Sequence, residues 1–170
     1  MKKLMIALVA IFITATTSAQ GVDLGIKLGA NFSTLSDVVG VKNKTGIHAG
    51  IFGAVKFGGI AVQAEMLYSQ QGTDKFDLDY INVPLFIKYY MVQGLNLQFG
   101  PQFGFVVKDG LSNAEINKSD VSGLIGLGYD FPFGLRLESR YNLGFTDVPK
   151  GAGEKGKNNV FSLALGYSFL

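Results

Sequence analysis

The sequence predicts an all-β fold, an eight-stranded antiparallel up-and-down barrel that spans a membrane. Apolar residues alternate with small or polar ones, long connections alternate with short ones, and charged residues are scarce while glycine is abundant. A helix would repeat its apolar residues every three or four positions, so a period of two indicates strands with two different faces. The last segment shows the pattern, with Phe161, Leu163, Leu165, Tyr167 and Phe169 alternating with Ser162, Ala164, Gly166 and Ser168.

The same alternation recurs along the chain and predicts eight strands. Each has about 9 to 13 residues, which is the length that a tilted membrane-spanning strand needs. The predicted strands are Val22–Phe32, Ile47–Phe57, Ile60–Ser69, Tyr80–Tyr90, Leu95–Val107, Val121–Tyr129, Leu135–Phe145 and Val160–Phe169.

The connections between these strands are long at one end and short at the other. Outer-membrane barrels have short turns in the periplasm and longer loops on the outside, so the pattern predicts this orientation. The long connections are Ser33–Gly46, Gln70–Asp79, Lys108–Asp120 and Thr146–Asn159, and the short ones are Gly58-Gly59, Met91–Gly94 and Asp130–Gly134.

The composition excludes several classes of protein. The chain has no cysteine, so it has neither disulfides nor thiol chemistry. Its net charge of +2 is too small to predict a nucleic-acid partner. Charged residues make up 16% of the chain, against about 25% in ordinary soluble domains. No later stretch has the length of a transmembrane helix, so a membrane protein with this sequence would be a barrel.

The first 19 residues predict a secretory signal peptide. A basic start, Met1-Lys2-Lys3, precedes the apolar run from Leu4 to Ile13, and small residues follow up to Ala19. The apolar run is too short to span a bilayer, which takes about 20 apolar residues. We therefore expect cleavage after Ala19 and one barrel domain over residues 20–170. Export of such a barrel predicts localisation in the outer membrane of a Gram-negative bacterium.

Side-chain volume indicates which face of the strands points outward. The bulky face carries roughly three dozen mostly large side chains, whereas an eight-stranded barrel encloses only enough space for a small set. The opposite face combines glycine with a few long polar residues, which suits a narrow interior. The bulky face is therefore predicted to contact lipid. The alternative is a soluble periplasmic barrel, similar to lipocalins, whose bulky face lines a cavity for an apolar ligand.

Aromatic residues on the bulky face cluster near both ends of the strands. Two aromatic girdles about one strand length apart are expected at the two membrane interfaces. The predicted girdles are Phe32, Tyr68, Phe105 and Phe145 near the long loops, and Phe57, Tyr89, Tyr129, Tyr167 and Phe169 near the short turns.

Several motifs resemble the PorT-like outer-membrane β-barrel family. They are Y-I-N-V-P-L-F-I-K-Y-Y (80–90), F-G-P-Q-F-G-F (99–105), S-G-L-I-G-L-G-Y-D-F-P (122–132), A-E-M-L-Y-S-Q-Q-G (64–72) and the terminal L-G-Y-S-F. The resemblance extends over the mature chain and implies a small outer-membrane barrel. The namesake of the family is linked to a protein-secretion system, but these motifs do not extend that role to this chain.

The inward face carries charged side chains that predict a polar network in the lumen. A carboxylate in a low-dielectric interior must be paired, and Glu138 lies between two arginines on one face of its strand. The favoured interpretation is an ion-pair plug that fills the barrel, and the alternative is a charged gate for small ions. The predicted network is Lys27, His48, Lys56, Glu65, Lys88, Arg136, Glu138 and Arg140, with Asp23 as a further inward acid.

No motif for catalysis, cofactor binding or a metal site is present. His48 is the only histidine, and no nucleophile is tied to it by a recognisable motif, so we expect it to be an interior or rim residue. Pro84 and Pro101 lie inside predicted strands, where they indicate bulges or edges of pairing. The expected partners are outer-membrane lipid, the barrel-assembly machinery and an unidentified ligand or protein at the long loops. The protein is expected to be a monomer and not an enzyme.

Overall fold

The computed structural model describes residues 21–35, 44–72, 77–109, 119–145 and 158–170. The predicted signal peptide, residues 1–19, lies outside these ranges, as do the middle parts of the four long connections. Among the described residues, no helix is long and apolar enough to cross a membrane.

Eight antiparallel strands close into a barrel in which each strand pairs with its neighbours in sequence, and β1 pairs with β8. This confirms the predicted fold class. The strands are β1 (Gly21–Leu35), β2 (Lys44–Phe57), β3 (Ile60–Gly72), β4 (Asp77–Val92), β5 (Leu95–Asp109), β6 (Ser119–Asp130), β7 (Leu135–Gly144) and β8 (Asn158–Ser168).

Three tight turns join the strands at one end, as the short connections predict. The backbone of Gly58 has a φ of 57° and that of Gly94 a φ of 91°. Glycine adopts these left-handed conformations without the steric cost of a side chain, which lets the hairpins reverse within two residues. Gln93 also has a positive φ, 36°, beside Gly94.

The two prolines within the strands are accommodated without a bulge. The register shifts between β4 and β5 lie at Asp79/Tyr80 and Tyr90/Val92, away from both prolines. Instead, the pairing of β4 with β3 is interrupted between Ala64↔Leu85 and Leu67↔Asn82. The register between the two strands is the same before and after this gap. Because proline has no N–H to donate, Pro84 fits at such an interruption. Pro101 likewise lies where the pairing of β5 with β4 is interrupted, between Pro84↔Gln102 and Ile87↔Phe99. Of the two expectations for these prolines, bulges or edges of pairing, the structure agrees with the second.

The two faces of the barrel differ as the side-chain volumes predict. Outward positions are mostly large and exposed, for example Ile26 at 52%, Ile51 at 59% and Leu165 at 53%. Inward positions are mostly polar and buried, so the core of this protein is its lumen. One outward residue, Val55, is nevertheless buried, and it lies in register between Val22 and Val62.

Candidate functional site

The centre of the lumen holds a compact network of charged side chains. Lys27 on β1 forms salt bridges with both Glu65 on β3 and Glu138 on β7. The guanidinium of Arg140 donates to both carboxylate oxygens of Glu65, each at 2.7 Å, and to Glu138 Oε2 at 2.6 Å. Lys88 Nζ on β4 lies 3.0 Å from Glu138 Oε1. These five residues, which we call the central network, join four strands across the interior.

Neutral amides extend the central network. Gln63 Nε2 donates to Glu65 Oε1 at 2.6 Å, and Gln98 Oε1 accepts a hydrogen bond from Arg140 Nε at 2.8 Å. The side chains of Glu65, Glu138 and Lys88 have no exposed surface. Buried charges are tolerated where opposite charges and hydrogen bonds satisfy them, and this network supplies both.

Small residues on the inward face provide the space for these long side chains. In the sheet, Glu138 lies opposite Gly128 on β6 and Ala164 on β8, and Arg140 lies opposite Gly126. A Cβ atom added at Gly126 would lie 2.9 Å from Arg140 Cγ. Glycine at this position therefore serves close packing and not phosphate binding, as its lumen-facing position predicts.

Two aromatic rings in the lumen support the arginines. The guanidinium carbon of Arg136 lies 4.5 Å from the centre of the Phe52 ring, and that of Arg140 lies 4.4 Å from the centre of the Phe86 ring. Both phenylalanines are nearly fully buried. A planar guanidinium stacks favourably on an aromatic face when both are desolvated. Neither ring was predicted to lie in the lumen, although their inward parity on β2 and β4 could have located them.

A second charged group lies toward the short turns. Asp23 pairs with Arg136 and, at 2.6 Å, with Lys56 Nζ. Asp130 accepts a hydrogen bond from the Tyr90 hydroxyl at 2.7 Å, and Lys88 Nζ lies 3.3 Å from its Oδ1. Lys88 thereby links this group to the central network. Asp130 and Tyr90 were not among the predicted lumen residues, since Asp130 was assigned to a turn.

The lumen opens at the short-turn end into a cavity of about 820 Å³. Asp23, Arg136 and Asp130 line its inner part, and the β6–β7 turn lines its mouth. The side chain of Lys56 is 37% exposed there, which sets it apart from the other lumen cations. Lys56 is therefore placed in the lumen wall but at its rim, and outside the central network.

A neutral polar layer lies on the long-loop side of the central network. His48 Nδ1 is 2.8 Å from Asn31 Oδ1, and Asn31 Nδ2 donates to Ser69 Oγ at 2.7 Å. Gln71 donates to the same hydroxyl. The cavity in this layer measures about 20 Å³, enough for about one water molecule. His48 thus lies in the lumen with an amide partner and is not brought to the central network.

The structure places the residues of both predicted girdles on the outward face. Tyr68 donates a hydrogen bond from its hydroxyl to Asp79 Oδ2 at 2.7 Å. Tyr129 is half-buried, and its ring packs edge-on against Phe131. The remaining girdle residues are exposed: Phe32, Phe105 and Phe145 near the long loops, and Phe57, Tyr89, Tyr167 and Phe169 near the short turns.

The lumen offers little reactive chemistry in the part of the chain that the structure describes. No group of three or more histidine, aspartate or glutamate side chains there is arranged to hold a metal ion. The central carboxylates are already engaged by lysine and arginine. The arrangement can therefore fill and cross-link the barrel, and the short-turn mouth is wide enough to admit a small molecule.

Comparisons with known proteins agree with this architecture. The profile of the outer membrane protein beta-barrel domain matches residues 17–149. Neisserial surface protein A has a similar fold, with a TM-score of 0.58 and 12% identity over 89% of this chain and 99% of that one. Ail, the attachment invasion locus protein of Yersinia pestis, has a TM-score of 0.56 and 13% identity over 86% of this chain and 98% of that one. No curated protein sequence matches the chain.

Identities of this size show a shared fold and nothing finer. The family profile, which covers most of the chain, describes an outer-membrane domain. Localisation in the outer membrane of a Gram-negative bacterium is thereby confirmed. The soluble lipocalin-like barrel is not favoured, and the bulky outward face is the surface that contacts lipid.

Proposed function

We propose that this chain, which belongs to the family of outer membrane protein beta-barrel domains, has a structural or surface-contact role as a closed barrel. The lumen is plugged, and contacts with other molecules are made by the long connections. The observation that carries this proposal is the central network, which joins four strands across the interior with almost no exposed side-chain surface.

The charge balance of the lumen favours a plug over an ion gate. Among the described residues in the central and short-turn parts of the lumen, four buried cations are matched by four acids, so this part of the interior needs no mobile counter-ion. Asp120, whose Oδ1 is buried, is a further inward acid toward the long loops. Lys56 is the additional cation, and it lies at the rim, where it is partly exposed. The balanced set comprises Lys27, Lys88, Arg136 and Arg140 with Asp23, Glu65, Asp130 and Glu138.

The long connections are the part of the chain best suited to contacts outside the cell. They include residues 36–43, 73–76, 110–118 and 146–157, and the last of these carries Lys150, Lys155 and Lys157. Exposed loops on a rigid scaffold are where binding residues concentrate. Nothing in their sequences indicates a catalytic motif, so the proposed role is non-enzymatic and the proposed state is a monomer.

Membership in the PorT-like group is a finer proposal that rests on sequence motifs. The stretches 80–90, 99–105 and 122–132 support it. Two of these stretches supply residues of the central network or its neighbours, namely Lys88 and Gly126. The proposal extends to the barrel and its location but not to a role in secretion.

Conductance across a planar lipid bilayer tests the plug. We expect the refolded protein to insert into the bilayer without producing discrete current steps, whichever salt and buffer are used. The matched variants Glu65→Ala and Gln71→Ala remove one polar side chain from the central network and from the neutral layer, respectively. Steps in the unmodified protein would support the ion gate and overturn the plug.

An epitope inserted into a connection tests the surface role. A short tag between residues 150 and 157 should be detected by antibody on intact cells, whereas the same tag between Gly58 and Gly59 should require permeabilised cells. Detection of the second tag alone would invert the proposed orientation. Loop replacements that keep the barrel folded can then be screened for loss of cell-surface contacts.

A further inference from the structure

The apolar surface of the barrel does not end at the girdle near the short turns. Val92, at the end of β4, and Phe133, in the β6–β7 turn, are 66% and 65% exposed. The girdle residue Phe169 and its neighbour Leu170, which follow β8, are 62% and 70% exposed. Turns that project into water normally carry polar side chains. These four side chains, together with Phe131, form what we call the apolar rim.

Ring contacts connect the apolar rim to the girdle without a gap. The Tyr129 ring lies 4.6 Å from that of Phe131, whose ring lies 5.2 Å from that of Phe133. On the last strand, the rings of Tyr167 and Phe169 are 5.8 Å apart. The rim is therefore a continuation of the lipid-facing surface and not a separate patch.

Polar groups near the rim point into the lumen. Asp130 precedes Phe131 in sequence, yet its carboxylate is engaged by Tyr90 and Lys88. The turn residues 58–59, 91–94 and 131–134 include no charged side chain, and Gln93 is the polar one among them. The side chains of these three turns thus lack the charges that would hold them in bulk water.

We propose that the apolar rim is a membrane-binding surface that lies within the periplasmic leaflet, at the boundary between headgroups and acyl chains. Large apolar side chains are stable there, and amphipathic tyrosines mark the same zone. Lipid is the occupant that the continuity with the lipid-facing band favours. The mouth of the lumen, with the half-exposed Lys56, consequently opens among phospholipid headgroups.

Cysteine labelling in nanodiscs tests this position, because the chain has no cysteine of its own. Both ends of the barrel reach the same solution in a nanodisc of phosphatidylethanolamine and phosphatidylglycerol. Phe133→Cys should react with a charged, water-soluble maleimide far more slowly than Ser119→Cys, an exposed position at the long-loop end. Burial raises the pKa of a thiol, and each unit lowers the reactive thiolate about tenfold.

The controls separate lipid from other occupants. Leu165→Cys, in the middle of the lipid-facing band, sets the rate for full protection, and boil-sensitive mobility on a gel verifies that each variant is folded. Equal rates at Phe133→Cys and Ser119→Cys would overturn the proposal. Protection in native outer membranes but not in nanodiscs would also overturn it, in favour of a protein partner or a second copy.

Quenching by brominated lipid gives an independent measurement. The chain has no tryptophan, so Phe133→Trp introduces a single reporter. Lipids brominated near the headgroup should quench it more strongly than lipids brominated near the chain ends. An emission maximum typical of water, with no quenching by either lipid, would contradict the proposal.

Discussion

The two faces of β7 lie in opposite environments. Its inward residues Arg136, Glu138 and Arg140 are buried and charged, while its outward residues Leu137 and Tyr141 are exposed and apolar or aromatic. Successive residues on one strand thus meet opposite demands. The inward face needs charges that pair with one another, and the outward face needs an absence of charge because lipid cannot solvate it.

The comparison teaches that the position of a charge matters more than the number of charges. Each charged residue of the central network has an oppositely charged partner within the lumen. Removing one member leaves an uncompensated charge in a low-dielectric interior. Adding one to the outer face creates the same problem without any partner.

The largest expected effect follows from removing Glu138, which pairs with Lys27, Lys88 and Arg140. Glu138→Ala should lower the free energy of unfolding by about 3–5 kcal/mol, since the buried cations then outnumber the acids that remain to pair with them. Urea unfolding in lipid vesicles measures this. Asn142→Ala, on the same face of β7, is the matched control, and an equal loss there would break the comparison.

A somewhat smaller effect is expected from placing a charge on the outward face. Leu165→Arg, in the middle of β8, should cost about 2–4 kcal/mol, the range for arginine near the midplane on a lipid-facing strand. The same unfolding measurement applies, with Leu165→Ala as control. If arginine were tolerated as well as alanine, Leu165 would not face lipid.

The smallest loss of stability is expected at the short-turn mouth of the lumen. Lys56→Ala removes the salt bridge to Asp23, but its side chain is 37% exposed. Solvent screens such a pair, so the loss should be at most about 1 kcal/mol. Lys88→Ala, which removes a fully buried cation, should cost clearly more. Equal losses would show that Lys56, at the short-turn mouth of the lumen, is as well shielded from water as Lys88.

Most of the fold could be predicted from the sequence because alternation has one cause throughout. Each strand separates lipid from lumen, so bulk and polarity repeat every second residue. Strand ends were less predictable: β4 runs over Asp77–Val92, whereas the pattern predicted Tyr80–Tyr90. Pairing between β3 and β4 continues to Gly72↔Asp77, where the side-chain pattern no longer alternates.

The sequence pattern indicated most of the charged lumen residues, but not the aromatic ones or Asp130 near the short turns. Phe52 and Phe86 are bulky, and bulk was the criterion for the lipid face, yet arginine needs a flat surface to pack on. Asp130 sits where a strand passes into a turn, so its sequence position did not reveal that it accepts from Tyr90. Such contacts depend on the register between distant strands, which a single sequence does not contain.

A spin-label scan along β8 tests the central claim most directly. One cysteine at a time is introduced from Phe161 to Ser168, and each label is exposed to oxygen, which partitions into lipid, and to a water-soluble nickel complex. We expect high oxygen accessibility at the outward positions and low accessibility to both reagents at the inward ones, with a period of two. Oxygen accessibility that peaks at the inward positions, or that shows no period, would contradict it.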